Sequence, residues 1–579
     1  MTKARIASFF QYWRFHLVMF AMLLCIIAIG WKVSALHVME RDFLQDEGDA
    51  RTIRTLPLVA NRGLITDRNG EPLAVSTPVK AIWVNPSEIS GEVAAIALLA
   101  KSLDLNFEAL TSKIEKNASS VCCSQFLYIK RRPAPADADR IDDLGIDGVY
   151  LQQEYQRFYP QGEVAAHLVG FSNVDDVGQE GLELTYDDWL RGVPGSRQVM
   201  QDRRGHIIEE LNTIKPAQPG KSVELSIDFR LQSLAYRELK SEFITRHAKS
   251  AAVVVLDVDS GEVLAMANQP SYNPHNKANM TDFSVMRNRA ITDVFEPGST
   301  IKAFTVAAAL ESGLYTPDTI IETSPGWRMI GPYEVKDLFD YGTLTLTKVI
   351  TKSSNIGTTQ IALNIGPEPI RDVLERVGFG QVLGTGFPGE RGGVLPNHRR
   401  WSRIETATLS YGYGLSGSAL QLAQAYSAIA DNGIKKPVSL VKLDQDTIDS
   451  LPREQVISSK ISNQVLAMLE TVVDPKRGGS ADEAQIPFYS VAGKTGTAHV
   501  VGEFGYEENL HNSLFVGLAP ASDPKIVVVV VINEPKGEEH YGGQVAAPVF
   551  SKIAAGAMRI LNVAPDNIPK DQSAGLSSI

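Results

Sequence analysis

The chain has little cysteine: its 579 residues include only Cys25, Cys122 and Cys123. Three thiols cannot build a disulfide framework in a chain of this length. Cys25 lies in an apolar N-terminal run, and a bond between the neighbours Cys122 and Cys123 would close a strained ring. We therefore expect unpaired thiols rather than a redox site.

Metal-binding motifs and an excess of basic residues are lacking as well. The ten histidines form no His-x-x-x-His pair beside a glutamate, and there is no Cys-x-x-Cys. Lys and Arg number 56 against 67 Asp and Glu, which gives a net charge of −11. A nucleic-acid-binding protein normally presents a basic face. The sequence predicts no metal, no cofactor and no nucleic-acid partner.

One long apolar run stands at the N-terminus. Residues 17–31 carry no charge, and the run extends over 15–36 if His16 and Lys32 reach the two membrane interfaces. Basic residues precede it and acidic residues follow it, which predicts a cytoplasmic tail over 1–14 and an uncleaved signal anchor over 15–36. Two alternatives are a cleaved signal peptide, for which residues 31–37 offer no convincing site, and a buried core helix.

A chain of this length needs more than one domain. Residues 37–220 mix turn-rich motifs with short helical stretches, which predicts an irregular α+β pedestal domain. A linker containing Pro and Gly, residues 215–220, leads to a second domain over 221–562. The last residues, 563–579, contain Pro, Ser and Gly and are predicted to be a disordered tail.

Strand-like runs stand at both ends of the second domain. Residues 251–257 and 262–267 flank an Asp-Ser-Gly turn, and far downstream residues 513–519 and 525–532 flank a turn with prolines. Helical patterns fill the interval between them. This arrangement predicts one antiparallel sheet closed by distant segments, with helices packed around it.

The segment 296–302 (Glu-Pro-Gly-Ser-Thr-Ile-Lys) begins a predicted apolar helix over 303–310. Ser299 and Lys302 stand three residues apart, which predicts that they share one helix face. A serine hydroxyl becomes nucleophilic when a base takes its proton, and a lysine with a lowered pKa can be that base. Ser-x-x-Lys recurs at Ser439 and Ser522, but only Ser299 stands at the start of a helix.

Two further motifs follow in order. Ser353 and Asn355 form a Ser-x-Asn that begins 54 residues after Ser299. Residues 494–497 (Lys-Thr-Gly-Thr) are typical of an edge strand, where a glycine lets a substrate backbone approach and Lys494 supplies positive charge. Ser-x-Asn recurs at residues 271–273, so the ordered set carries more weight than any one motif.

Ser-x-x-Lys, Ser-x-Asn and Lys-Thr-Gly together are a signature of penicillin-binding proteins and class A β-lactamases. The chain resembles the class B penicillin-binding proteins, which are peptidoglycan D,D-transpeptidases, and among them the Gram-negative cell-division type (penicillin-binding protein 3 family). The resemblance reaches from the anchor to about residue 560. Its further motifs are Arg62-Gly63, residues 67–70, Arg157 with Tyr159-Pro160, residues 178–183, residues 411–414, and Gly542-Gly543 before residues 547–550.

The resemblance implies an α/β (α+β) fold: a serine D,D-peptidase/β-lactamase-like catalytic domain with an antiparallel sheet between helix clusters. A pedestal of the dimerisation type and one transmembrane helix precede it. Ser299 would attack the carbonyl of the penultimate D-Ala of a stem peptide and release the terminal D-Ala. Lys302 would be the general base, Ser353 would relay a proton to the leaving group, and Asn355 would orient Lys302 and the substrate.

Substrate binding is implied for residues of the third motif. Lys494 and Thr495 would hold the substrate carboxylate with support from Thr497, and Gly496 would let the substrate backbone approach. Tyr411 is a further candidate substrate-binding residue. The backbone N–H groups of Ser299 and Thr497 would form the oxyanion hole.

The same resemblance implies the partners and the location. Expected partners are peptidoglycan stem peptides and lipid-linked precursors, covalently bound β-lactams, and divisome proteins including a glycan polymerase. The protein would cross the bacterial inner membrane once, work in septal cell-wall synthesis, and hold its catalytic domain in the periplasm. Two departures bear on affinity: Ala303 stands where the family often has proline, and His499 where the division type commonly has Arg or Lys.

Other functions stay open. Residues 412–417 spell G-x-G-x-x-G, which could bind a dinucleotide if a strand preceded it in a βαβ unit. A catalytically silent scaffold or a β-lactam sensor could share the fold. Water as the acceptor would give a carboxypeptidase or β-lactamase, but we recognise no motif that positions a deacylating water, which favours transfer.

Overall fold

A computed structural model describes residues 3–119, 125–202, 207–276, 281–502 and 505–568. Cys122 and Cys123 lie outside the described residues, and Cys25 is an exposed free thiol in the first helix. The α-helices are α1 Lys3–Ser34, α2 Arg41–Thr52, α3 Pro86–Ile89, α4 Val93–Ser102, α5 Phe107–Ala118, α6 Pro135–Leu144, α7 Ala166–Val169, α8 Gly181–Thr185, α9 Asp187–Leu190, α10 Phe229–Thr245, α11 Arg289–Thr292, α12 Lys302–Glu311, α13 Leu346–Thr351, α14 Asn355–Ile365, α15 Pro367–Arg376, α16 Arg403–Ser410, α17 Ala419–Ala430, α18 Gln445–Ser450, α19 Ser459–Val473, α20 Gly542–Val545 and α21 Ala547–Ile560.

The strands are β1 Ile53–Leu58, β2 Ile65–Thr66, β3 Pro72–Val84, β4 Leu127–Lys130, β5 Val149–Phe158, β6 Phe171–Ser172, β7 Gly178–Glu180, β8 Gly195–Gln201, β9 Ile207–Lys215, β10 Val223–Glu224, β11 Ser250–Asp257, β12 Val263–Gln269, β13 Ile320–Glu322, β14 Trp327–Ile330, β15 Tyr333–Lys336, β16 Thr343–Thr345, β17 Ile434–Lys435, β18 Glu454–Gln455, β19 Ala492–Gly502, β20 Gly505–Ala519 and β21 Ile526–Asn533.

The N-terminal helix has the length and composition of a membrane span. The apolar stretch Tyr12–Met39 comprises 28 residues, and an 18-residue window within it has a mean hydropathy of 2.2 and no buried residue. An exposed apolar helix of this length matches the thickness of a bilayer core. The predicted anchor, residues 15–36, lies inside this stretch, which fits a membrane-anchored protein.

By their contacts, the residues form two compact units. The smaller unit comprises 1–61, 78–155 and 192–219, and the larger comprises 62–77, 156–191 and 220 onward. The sequence prediction cut the chain once, after residue 220, whereas residues 62–77 and 156–191 belong by their contacts to the larger unit. A single linear boundary cannot express segments that alternate in this way.

The smaller unit mixes short helices with strands, as expected for the pedestal. β1, β8 and β9 form an antiparallel sheet in that order. A separate apolar core brings side chains of β3, α4 and α5 together, with Ile82, Leu99 and Ile114 fully buried. The predicted irregular α+β character is confirmed.

A five-stranded sheet organises the larger unit in the order β12-β11-β21-β20-β19, and every neighbouring pair is antiparallel. The predicted hairpins β11–β12 and β20–β21 are confirmed, as is the closure of one sheet by distant segments. β19, which carries Lys494, Thr495 and Gly496, lies at the edge of the sheet, as predicted.

Helices cover the sheet because its central strands are apolar on both faces. β11 and β21 are runs of small and β-branched residues that are buried almost throughout, a pattern typical of strands covered on both sides. α10 and α21 pack together and contact the sheet, and α17 packs against β11 and β21. This layering holds the edge strand β19 beside α19 and beside the turn Gly298–Ile301 that precedes α12.

The first residues of the predicted disordered tail are tied to the larger unit. The Tyr489 hydroxyl donates to the carbonyl oxygen of Val563 at 2.7 Å, and Ser490 N donates to Asp566 Oδ1 at 2.8 Å. Composition alone did not reveal these hydrogen bonds. Residues 569–579 of the predicted tail lie outside the described residues.

Candidate active site

Ser299 lies in a tight turn that leads into α12. Residues Gly298–Ile301 form a 3₁₀ turn, and α12 begins only at Lys302, so the structure corrects the prediction that Ser299 stands on the α-helix itself. Gly298 has φ +54°, which a glycine adopts without strain. Among the described contacts, no hydrogen bond joins Ser299 to Lys302, because the lysine amine binds other groups.

The Lys302 amine is fully buried and held by the second motif. Lys302 Nζ donates to Asn355 Oδ1 at 2.7 Å, to the carbonyl oxygen of Ser353 at 2.5 Å and to Ser353 Oγ at 3.3 Å. Burial lowers the pKa of Lys302 to about 7, although the Asp337 carboxylate favours its charged form. An amine in this state is available as a base near neutral pH.

A second buried amine approaches from the sheet edge. Lys494 Nζ donates to Ser353 Oγ at 2.9 Å and to the carbonyl oxygen of Thr495 at 3.1 Å. Burial and the nearby Lys302 charge lower the pKa of Lys494 well below its ordinary value. Ser353 Oγ thus lies between two amines. Ser353 has φ +55°, an uncommon conformation for a residue with a side chain, of the kind found at functional sites.

Helix α14 begins at the second motif. Ser354 caps the helix, since its Oγ accepts a hydrogen bond from Gly357 N at 2.9 Å. Asn355 is the first helical residue, and its Nδ2 donates to the carbonyl oxygen of Lys336 at 3.0 Å. The opposite end of that amide, Oδ1, faces Lys302. The helix start therefore fixes both partners of the Lys302 amine.

Strand β19 lies directly against the turn Gly298–Ile301 that carries Ser299. A Cβ atom added to Gly496 would come within 3.0 Å of the Pro297 carbonyl oxygen and of Thr300 Cγ2. A Cβ atom added to Gly298 would lie 3.5 Å from the Thr497 carbonyl oxygen. Glycine at both positions lets the two backbones approach, which brings Thr497 beside the turn that carries the predicted nucleophile.

The hydroxyls of the third motif have protein partners nearby. Thr497 Oγ1 accepts a hydrogen bond from Gly542 N at 3.2 Å. Thr495 Oγ1 lies 3.5 Å from Ser480 Oγ. The Gly-Gly segment that the sequence resemblance included therefore supports the strand at its active-site end.

The loop after α16 accepts a hydrogen bond from the turn that carries Ser299. Gly298 N donates to the carbonyl oxygen of Gly412 at 3.1 Å. Tyr411 precedes that contact, its ring lies 5.7 Å from the Tyr413 ring, and burial raises the pKa of Tyr411 to about 12. A helix, not a strand, stands before Gly412, so the βαβ context that a dinucleotide site needs is missing in this described segment.

The other Ser-x-x-Lys motifs do not form a comparable site. The Ser439 hydroxyl donates to the carbonyl oxygen of Val441, and the Ser522 hydroxyl donates to Asp566. The lysines of both motifs pair with carboxylates elsewhere. Position, rather than the pattern, separates Ser299 from these copies, as expected.

Family comparisons agree with this geometry. Residues 251–555 match the family model described as the penicillin-binding protein transpeptidase domain. The chain belongs to the penicillin-binding protein transpeptidase family. Residues 57–225 match the penicillin-binding protein dimerisation domain. The family resemblance drawn from the motifs is confirmed.

Individual relatives align with nearly the whole chain. It is 43% identical over 556 residues to the probable peptidoglycan D,D-transpeptidase PbpC of Pseudomonas aeruginosa, covering 96% of each chain. It is 43% identical over 560 residues to peptidoglycan D,D-transpeptidase FtsI of Escherichia coli K12, covering 96% of this chain and 93% of the relative. Penicillin-binding protein 3 of Mycobacterium tuberculosis, solved in complex with aztreonam, is 28% identical with a TM-score of 0.66, covering 88% and 98% of the two chains.

Two acidic residues at the site had no role in the sequence predictions. Asp337 contacts the start of α14. Glu296 accepts hydrogen bonds from Gly414 N at 2.8 Å and from the Tyr506 hydroxyl at 2.9 Å, and burial raises the pKa of Glu296. No motif marks Asp337. Glu296 stands in the motif segment, but nothing in the sequence reveals its partners.

Proposed function

We propose that this chain is a peptidoglycan D,D-transpeptidase that works through an acyl-enzyme on Ser299. The observation that carries the proposal is the pair of buried amines, Lys302 and Lys494, joined through Ser353 Oγ beside the turn that holds Ser299. A family match and relatives bearing that activity in their names support the substrate class, stem peptides that end in D-Ala-D-Ala.

Acylation begins with proton transfer from Ser299 Oγ to the neutral Lys302 amine. Oγ attacks the carbonyl carbon of the penultimate D-Ala, and negative charge collects on the carbonyl oxygen. The backbone N–H groups of Ser299 and Thr497 stabilise it, and one such donor is worth about 10²–10³ in rate. The C–N bond to the terminal D-Ala then breaks, and its nitrogen takes the proton that Lys302 removed from Ser299, relayed through Ser353 Oγ. Lys302 is thereby neutral again.

Two amines that share one hydroxyl oxygen do not both hold a full charge at low cost. A substrate carboxylate bound by Lys494 and Thr495 favours the protonated form of Lys494. That charge in turn keeps Lys302 neutral and ready as a base. Donor binding therefore prepares the base for the chemical step.

Transfer completes the reaction. The amine of a neighbouring stem peptide attacks the acyl carbonyl carbon and gives a proton to the neutral Lys302 amine. The new C–N bond forms the cross-link, the ester C–O bond breaks, and Lys302 returns that proton to Ser299 Oγ. A β-lactam reacts by the same first step, but its amide is part of a ring and the leaving nitrogen stays attached. The adduct is therefore long-lived.

The deciding experiment labels the full-length, detergent-solubilised protein with a fluorescent penicillin and measures the intact mass. We expect one stable adduct on the wild type and none on Ser299→Ala. Ser522→Ala is the matched control, since Ser522 belongs to a Ser-x-x-Lys copy outside the site, and it should label normally. No adduct on the wild type would overturn the proposal and favour a silent scaffold.

A second readout separates an enzyme from a sensor. Incubation with donor and acceptor stem peptides should release D-Ala and yield a cross-linked dimer. An adduct with the penicillin but no dimer and no D-Ala would favour a β-lactam sensor, and D-Ala release without dimer would indicate hydrolysis.

The orientation of the protein in the membrane is also part of the proposal. Residues 1–14 would be cytoplasmic, and the catalytic unit would lie in the periplasm of a Gram-negative cell, where it would serve septal synthesis beside divisome proteins and a glycan polymerase. The basic residues before the span and acidic residues after it support this orientation. Protease added to spheroplasts should digest a C-terminal tag and spare an N-terminal one; the reverse result would refute the orientation.

A further inference from the structure

The Asp337 carboxylate lies where the turn after β15 meets the start of α14. Its Oδ1 accepts hydrogen bonds from Asn355 N at 2.5 Å and from Ile356 N at 3.0 Å, and its Oδ2 accepts one from Ser354 Oγ at 2.5 Å. All three donors belong to the short segment that also supplies the partner of Lys302. A carboxylate at a helix N-terminus is well placed to accept them.

The backbone around Asp337 is itself fixed. Asp337 N donates to the carbonyl oxygen of Gly326 at 3.0 Å, which holds the residue at the open end of the β14–β15 hairpin. The preceding carbonyl, of Lys336, accepts from Asn355 Nδ2 at 3.0 Å. The end of the hairpin thus accepts hydrogen bonds from both the backbone N–H and the side-chain amide of Asn355.

These two hydrogen bonds determine which atom of Asn355 faces the buried Lys302 amine. With Nδ2 bound to the Lys336 carbonyl, Asn355 Oδ1 accepts from Lys302 Nζ at 2.7 Å. A rotated amide would set the NH₂ group against the lysine amine, donor against donor. The negative charge of Asp337 also reaches Lys302 and opposes the effect of burial on its pKa.

We propose that Asp337 is a positioning residue of this site: its carboxylate fixes the start of α14, and its negative charge is joined through Asn355 to the Lys302 amine. The inference rests on the proposed role of Lys302 as the base. The alternative is a purely structural helix cap, which would change stability but not the pH dependence of acylation.

The test measures the second-order rate of acylation by a fluorescent penicillin against pH, with the full-length protein. Asp337→Asn keeps the shape and removes the charge, so the pKa of Lys302 should fall. The acid limb of the profile should then move to lower pH by roughly one unit, the low end of what an opposite charge contributes. The plateau should also fall about tenfold, because a neutral amide accepts weaker hydrogen bonds than a carboxylate and holds the start of α14, and with it Asn355, less firmly.

Two variants separate charge from position. Asp337→Glu keeps the charge but displaces it, so the plateau should fall while the acid limb stays in place. Asp340→Asn is the control: Asp340 lies in the same loop and accepts from Ser324 Oγ at 2.9 Å and Gly342 N at 3.0 Å, but makes none of the contacts to α14. Its profile should match the wild type.

Each outcome decides the matter. An unmoved acid limb in folded Asp337→Asn, or an equal shift in Asp340→Asn, overturns the inference. If Asp337→Asn does not fold, an unchanged plateau in Asp337→Glu overturns it instead. Absence of a Ser299 adduct on the wild type would be a failure of the proposed function, which the same labelling measurement reports separately.

Discussion

At the scale of single residues, the site brings two lysine amines together where water is excluded. Lys302 and Lys494 are both fully buried, and the Ser353 hydroxyl lies between their amines. Burying a charge without a full partner is costly, and a buried lysine responds by giving up its proton. A buried amine with a lowered pKa can accept a proton near neutral pH, which is the role proposed for Lys302.

The pH dependence of acylation follows from the Lys302 pKa of about 7. Only the neutral amine accepts the Ser299 proton, so the rate should level off above pH 7 and fall about tenfold for each pH unit well below it. Acylation rates measured from about pH 5.5 to about pH 8.5 check this. Circular dichroism at each pH controls for unfolding, and a flat profile on the acid side would contradict the role of Lys302 as base.

At the scale of elements, the position of the turn that carries Ser299 depends on the loop after α16. Gly412 has φ +88°, and a Cβ atom added there would lie 2.0 Å from the Gly298 carbonyl oxygen. Gly414 has φ +78°, but an added Cβ atom would meet nothing within 4 Å. Both positions have a positive φ that would strain a residue with a side chain, and of the two only Gly412 contacts the turn that carries Ser299.

This contrast gives a matched pair of substitutions. Gly414→Ala should cost roughly 1–2 kcal/mol in stability, because alanine is strained in a left-handed conformation. Gly412→Ala should cost more than Gly414→Ala, because its Cβ atom must also displace the Gly298 carbonyl. Only Gly412→Ala should also slow penicillin acylation, by about 10²-fold, since it must displace the turn that carries Ser299. Thermal unfolding and acylation rates measured together test this; equal acylation rates in the two variants would refute the dependence.

The elements also differ in how far the sequence predicts them. The hairpin β11–β12 was predictable because apolar runs flank Asp-Ser-Gly, and α12 because an apolar stretch follows Pro-Gly. The 3₁₀ turn at Ser299 was not, since it depends on contact with β19 and the loop at Gly412. The role of Asp337 was also hidden: it lies in a loop ahead of α14, and no spacing rule links a hairpin end to a helix cap.

At the scale of the whole molecule, a buried network of charges joins motifs far apart in the sequence. Within the larger unit, Glu183 pairs with Arg62 at 2.7 Å and with Arg157 at 2.6 Å, and the three side chains are at most 1% exposed. Arg62 also pairs with Asp187 at 2.7 Å. These contacts tie residues 62–77 to residues 156–191, a pairing that the linear sequence could not indicate.

Removing one charge from this network should be severe. Glu183→Gln leaves two buried guanidinium groups without their shared carboxylate, and breaking a buried pair costs about 3–5 kcal/mol. Glu375→Gln, which removes an exposed partner of Arg371, should cost about 0.5 kcal/mol or less. Denaturant unfolding of the solubilised full chain measures both, and a similar small loss in the two variants would contradict the importance of the network.

The strand order of the main sheet also has a consequence for biosynthesis. β11 lies between β12 and β21, and its β21 partner, Ile526–Asn533, is made long after Ser250–Asp257. At about 5–20 residues per second, the nascent chain keeps one edge of β11 unpaired for a time on the order of tens of seconds. An exposed apolar edge is a site for aggregation. A newly made chain therefore needs protection along this edge, from a chaperone or from its own neighbouring segments, until the last strands arrive.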